Sequence, residues 1–122
     1  NPITCAAGIA TLDVLTPQLA TISTIGQQAI ERLTHELSPL RGIGDIRGKG
    51  LMIGIEIMDH EGHPNATALK AILADCLTQH LIVLPCGKDG NVIRLMPPLT
   101  ITDEELNQGL SILIESCRRV LL

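Results

Sequence analysis

Phe, Tyr and Trp are absent from all 122 residues. Without an aromatic ring the chain lacks the stacking platform of single-strand nucleic-acid binders, the aromatic cage for quaternary ammonium groups, and Tyr as a general acid. Positive charge is also scarce. Nine Lys plus Arg face thirteen Asp plus Glu, and the net charge of −4 is spread along the chain. That balance disfavours a nucleic-acid or anionic-membrane surface. Cys5, Cys76, Cys86 and Cys117 show no C-x-x-C spacing, so they read as reduced, mostly buried thiols of a cytoplasmic protein rather than a disulfide framework. No apolar run approaches the ~20 residues of a membrane span, and no signal peptide is recognisable. The chain carries no initiator Met and opens on a helix at Asn1-Pro2-Ile3. It is therefore expected to have been cut from a longer protein.

What is abundant is aliphatic. Residues classed as hydrophobic make up 45% of the chain, and Leu and Ile supply most of them. So much branched apolar surface collapses into a core, which excludes disorder, and the length fits one domain.

Residues 2–15 are rich in Ala, with Ile3, Ala6, Ala7, Ala10 and Val14 at helical steps, and predict a closely packing helix. Thr16-Pro17 reads as the start of a second helix running to about Leu37, where Ser38-Pro39 ends it. From Ile43 to Met58 the period changes to two, predicting one strand or two. Leu51, Ile53, Ile55 and Ile57 share one face; Gly48, Gly50, Met52, Gly54 and Glu56 share the other, where a ligand or another domain is expected to approach the backbone. Ala66 to His80 predicts a third helix. Leu81–Leu84 and Val92–Met96 read as short strands that pair as an antiparallel hairpin, the second halted by Pro97-Pro98. Thr102 to Glu105 has the form of a capping box ahead of a final helix burying Leu106, Leu110, Leu113, Cys117, Val120 and Leu121. The fold class is α+β, with helices on one face of a small, mostly antiparallel sheet.

Arg94 is the most informative residue, because it interrupts the apolar strand VIRLM. A planar guanidinium there offers bidentate geometry to a substrate carboxylate. Pattern alone leaves this open beside a solvated arginine on an edge strand. The glycine runs at 42–44 and 48–54 lack dinucleotide-binding spacing and read as close backbone packing. Lys49 has nothing beside it to lower its pKa for Schiff-base chemistry and reads as a solvated lysine. His60-Glu61-Gly62-His63 lies in a loop, and no metal site is expected there. Cys76 and His80, four apart, read as packing at the edge of the core.

Three segments together resemble class III, pyridoxal-phosphate-dependent aminotransferases. NPITCAAGIATLDVL is similar to the family's GGNPxxCAAAxAxLDVL. IGDIRGKGLMIGIEI and LIVLPCGKDGNVIRLMPPLTITDEELNQGL follow in the family's order, and the resemblance covers essentially the whole chain. It implies that residues 1–122 are the C-terminal small domain of a fold-type I transferase, forming a homodimer as the full-length enzyme. The implied activity passes an amino group from an ω-amino acid such as 4-aminobutyrate to a keto acid such as 2-oxoglutarate. Diaminobutyrate and acetylornithine enzymes are close behind as models. Arg94, in NVIRLMPP, matches the family arginine that clamps a substrate carboxylate. Asn1-Pro2 matches the end of the G-G-N-P turn near the cofactor phosphate, with the preceding residues missing. The family's Schiff-base lysine and its pyridine-binding aspartate lie upstream of that turn, so no catalytic residue is expected within the chain, and residues 1–122 alone are expected to be inactive. The alternative is a noncatalytic ligand-binding or assembly module of the same shape. A third reading, a Cys/His metal protein, is disfavoured.

Overall fold

The computed structural model describes residues 1–122. Asn1 caps the first helix, its Oδ1 accepting from the Ile3 amide at 3.0 Å, and Pro2 takes a first-turn position that needs no N–H donor. Helix α1 (Pro2–Leu15) buries none of its residues. It is apolar, yet Ile3, Ile9, Leu12 and Val14 face solvent, so it is not the closely packed element its alanines predict.

Thr16-Pro17 does not begin a new helix. Thr16 keeps helical angles (φ −54°, ψ −43°), and its hydroxyl donates back to the Leu12 carbonyl at 2.6 Å instead of capping forward. One 3-10 turn (Thr16–Gln18) absorbs the proline, and the chain continues as α2 (Leu19–Leu37). The merged helix of residues 2–37 is long and apolar enough, by length and composition alone, to cross a membrane, which corrects the expectation that no such stretch exists. Asp13 interrupts it, and a carboxylate is unfavourable at the centre of a span.

Helix α2 buries Ile22, Gly26, Ala29, Leu33 and Leu37, one stripe at three- and four-residue steps. The period-two region resolves into β1 (Ile43–Lys49) and β2 (Met52–Ile57), joined through Gly50-Leu51. Gly50, at φ +55°, supplies the positive φ that a two-residue hairpin turn requires at its first position. Because the strand folds back there, the expected glycine face does not exist as one surface. Gly48 pairs with Ile53 and so shares the core side, whereas Gly54 lies on the opposite side with Met52 and Glu56. The element approaching the backbone is α2 itself, with Gly26 against the carbonyl of Gly50.

Helix α3 (Ala66–Thr78) is capped by Asn65, whose Oδ1 accepts from the Ala68 amide at 2.9 Å. It ends in a Schellman arrangement: the Leu81 amide donates to Cys76 O and the His80 amide to Leu77 O, each at 3.0 Å. His80 occupies the left-handed position at φ +64°, and it is exposed rather than packed against Cys76. A side chain in that conformation is strained. His80→Gly is therefore expected to stabilise the fold by about 1 kcal/mol, measured as a higher urea midpoint with an unchanged slope. A lower midpoint would contradict it.

Strand β3 spans only Leu84–Cys86, shorter and later than expected, and β4 is Val92–Leu95. They pair antiparallel as predicted, with Leu84 opposite Arg94. The sheet order is β1-β2-β4-β3, antiparallel throughout. Helix α4 (Asp103–Leu121) opens on the expected capping box: Thr102 Oγ1 accepts from the Glu105 amide at 3.2 Å, and Glu105 Oε2 accepts from the Thr102 amide at 3.0 Å. It buries Leu110, Leu113, Ile114, Ser116 and Cys117, while Leu106, Val120 and Leu121 are only half-buried against the core. Helices α2 and α3 lie on the sheet and α4 packs against both. The core joins Leu33, Leu37, Ile53, Ile55, Ile57, Ile93 and Leu113. One sheet face is thus covered by helices and the other is bare, as the α+β reading expects.

Two ion-pair groups tie the helices at their rim. Arg118 bridges Glu36 of α2 and Glu115 of its own helix, and Arg119 donates to Asp75 Oδ2 of α3 at 2.7 Å. The Arg119 contact, followed by the Ser116 hydroxyl, holds the Asp75 carboxyl below its usual range.

Candidate functional site

The bare face of the sheet is built by register. Arg47 of β1, Gly54 of β2, Arg94 of β4 and Leu84 of β3 form one row across four strands. Glu56 lies two residues along β2 from Gly54 and opposite Val92. Directly opposed residues of antiparallel strands share a face, so Met52, Glu56, Val92 and Cys86 belong to this surface as well. Only hydrogen separates the two arginines in the row, because Gly54 has no side chain. A Cβ added there would press on Val92 Cγ1 at 3.3 Å.

The chain's arginines are otherwise occupied or solvated. Arg47, Arg118 and Arg119 are in ion pairs. Arg32 donates to Asn107 Oδ1 and Ser111 Oγ, each at 2.8 Å, and Arg41 is exposed. Arg94 alone is half-buried with no hydrogen-bond or ion-pair partner. A guanidinium removed in part from water and left unpaired is under-satisfied, and an incoming carboxylate would supply both charge and two acceptors.

Arg94 also contributes to the wall of a cleft of about 240 Å³ where residues 81–84 diverge from the end of β4. Val83, Met96, Ile101, Leu106 and Gly109 form much of the rest. Sequence reading does not find this cleft, since its walls come from three separate segments. The only local signal is Gly109, whose missing side chain leaves room beside Leu81.

The other residues singled out by sequence come to little as a site. His63 and Glu61 do come together, joined by Asp59 rather than by His60, with ligand atoms within 4.8 Å of one another. Asp59 Oδ1 already accepts from the His63 and Glu61 amides at 2.8 and 2.9 Å, so the cluster is a hydrogen-bonded turn. Those amides, the His63 one foremost, hold the Asp59 carboxyl low. Cys76 and Cys117 are buried as expected, but Cys86 is half-buried and Cys5 exposed, so the thiols are not mostly buried. Burial pushes the Cys117 thiol up to about 12 and raises Cys76 too, which makes both poor nucleophiles. Asn1 serves as a helix cap.

Lys49 in the hairpin, Lys70 on α3 and Lys88 in the loop after β3 are all exposed. A Schiff-base lysine needs a desolvated or electropositive pocket, and none of the three has one.

Comparison with known proteins gives the same outline. Residues 1–116 match the family model described as aminotransferase class-III. The chain is 40% identical over 124 residues to the 5-aminovalerate aminotransferase DavT of Pseudomonas putida, covering 96% of this chain and 28% of that protein. It is 40% identical over 122 residues to the 4-aminobutyrate aminotransferase of Mycobacterium bovis, covering 92% of this chain and 26% of the relative. Among solved structures, an aminotransferase of Bacillus anthracis superposes with a TM-score of 0.88 at 28% identity, over 98% of this chain and 28% of the larger one. The chain thus spans little more than a quarter of the proteins it matches.

Proposed function

The chain belongs to the class-III aminotransferases, and on that premise we propose that residues 1–122 form the C-terminal small domain of a full-length pyridoxal-phosphate-dependent transaminase. Its part is to dock the carboxylate of an ω-amino acid and of a keto acid such as 2-oxoglutarate. The observation that carries this reading is Arg94, half-buried and unpaired on the bare face of the sheet. A bidentate guanidinium–carboxylate pair fixes both the distance and the plane of a small acid, and so places its amino end. The relatives named for 5-aminovalerate and 4-aminobutyrate, both acids with a terminal amine, support that substrate class.

The family is pyridoxal-phosphate-dependent, but the residues present do not fit the cofactor's covalent site, since every lysine is solvated and none lies in an enclosed pocket. We therefore place the Schiff-base lysine and the aspartate that pairs with the pyridine nitrogen outside residues 1–122. Exposed α1 and the bare sheet face are where a cofactor-binding domain would be covered by, and cover, this one. Dimer assembly and a cytoplasmic location belong to the same proposal. A noncatalytic binding module of this shape is the competing reading.

The two readings part on one assay. A full-length protein containing this sequence is expected to consume 4-aminobutyrate or 5-aminovalerate with 2-oxoglutarate, and residues 1–122 alone are expected to turn over neither. Turnover by the short chain, or a full-length protein inert toward every ω-amino acid, would refute the proposal.

A further inference from the structure

Glu56 stands between two arginines and is bound to one of them. On the bare face it is opposite Val92 on β4, and Arg94 is two residues further along that strand. Such diagonal neighbours lie about 7–8 Å apart, within reach of long side chains. Yet Glu56 Oε2 lies 3.6 Å from Arg47 Nη1, on the other flank of Gly54. Arg47 is itself held in place, its Nη1 donating to Asp45 Oδ2 at 2.9 Å. We propose that Arg47 is a positioning residue for Arg94: by engaging Glu56 it keeps that carboxylate from closing on Arg94 and leaves the second guanidinium open to an incoming acid.

The physical reason is competition for one anion. Glu56 is two-thirds buried, with its side chain 30% exposed, and gains from a cationic partner. Arg47 and Arg94 occupy the two diagonal positions beside Glu56, on either flank of a glycine that offers no steric barrier. Asp45 biases the choice by anchoring Arg47 on the β1 side, two residues back along the same strand. Paired with Glu56, Arg94 would meet a substrate already neutralised and would have to give up one carboxylate to take another. The Arg47 guanidinium, raised first by the Asp45 hydrogen bond and then by the Glu56 charge, stays a full cation across the range in which an enzyme works.

The inference rests on the reading of Arg94 as the acid-docking group, but its test does not use activity. Phenylglyoxal attacks free guanidinium groups faster than ion-paired ones, and peptide mapping by mass spectrometry reads each arginine separately, with exposed Arg41 as internal reference. Arg47→Ala is expected to slow labelling of Arg94 about threefold relative to Arg41, as Glu56 transfers to it. Adding Glu56→Gln to that variant should restore the original rate. Arg47→Gln, which keeps much of the stem, should repeat the slowing should the alanine variant fail to fold. An Arg94 rate unchanged or raised in the Arg47 variants, or not restored by Glu56→Gln, would overturn the proposal. A kinetically silent Arg94→Ala with this labelling pattern intact would instead sink the docking role alone.

Discussion

Arg94→Ala is expected to raise KM for the acid substrate of the full-length enzyme by a factor equivalent to about 2–4 kcal/mol, roughly 30- to 1000-fold. The magnitude follows from what is lost. A bidentate charged pair in a half-buried site is worth more than an exposed ion pair, and the alanine leaves the substrate carboxylate partly desolvated with no donor. Arg94→Lys is expected to recover only part of this, because an ammonium keeps the charge but cannot span both oxygens in one plane. Steady-state kinetics over a range of amino donor and keto acid concentrations checks it. A clamp that held substrate and transition state alike would place most of the loss in KM and less in kcat.

The second large effect concerns the fold. Gly26→Ala is expected to destabilise the domain by about 3 kcal/mol. A Cβ at this buried position of α2 would overlap the backbone carbonyl of Gly50 in the β1–β2 turn, and a carbonyl in a hydrogen-bonded hairpin cannot rotate aside as a flexible side chain can. The helix or the hairpin must move instead, and both carry core residues on either side of the contact. Gly8→Ala is the control. It lies on exposed α1 with nothing within 4 Å of an added Cβ, so the change should leave the fold intact and stabilise its helix by up to about 1 kcal/mol. Urea unfolding followed by circular dichroism separates the two, the chain having no Trp or Tyr to report by fluorescence. Equal midpoints for both variants would remove the Gly26–Gly50 contact as a determinant of the fold.

How far these features were legible in the sequence depended on whether their cause was local. Thr102 and Glu105 announce the start of α4 because a capping box involves only four residues and its two hydrogen bonds close within them. The alternation through Ile53, Ile55 and Ile57 reports the helix-covered face of β2 for a similar reason. Thr16-Pro17 misled because a proline is tolerated both at the start of a helix and inside a single tightened turn, and only the Thr16 hydroxyl bond back to Leu12 tells the two apart. The spacing carries α3 on to His80, past its end at Thr78, because the left-handed position that stops the helix is filled by His80, where glycine would give the signal.

Arg94 was conspicuous as a charge within an apolar strand. That it is unpaired was not, because this depends on the choice of partners by Arg47, Arg32, Arg118 and Arg119, each reaching across elements or strands. The pairing of Arg47 with Glu56 is less visible still. It needs the register of β1 on β2, which the two-residue Gly50-Leu51 turn sets and which alternation along either strand alone does not show. The cleft beside Arg94 belongs to the same class of feature, since it arises where two chain segments part.

The most direct test of the acid-docking role compares two donors that differ only in the carboxylate, 4-aminobutyrate and propylamine, on the full-length enzyme and its Arg94→Ala variant. A guanidinium that docks the acid predicts that kcat/KM for 4-aminobutyrate falls by roughly two orders of magnitude while that for propylamine stays within a few-fold of the original. An equal fall for both donors, or no fall for either, would contradict it.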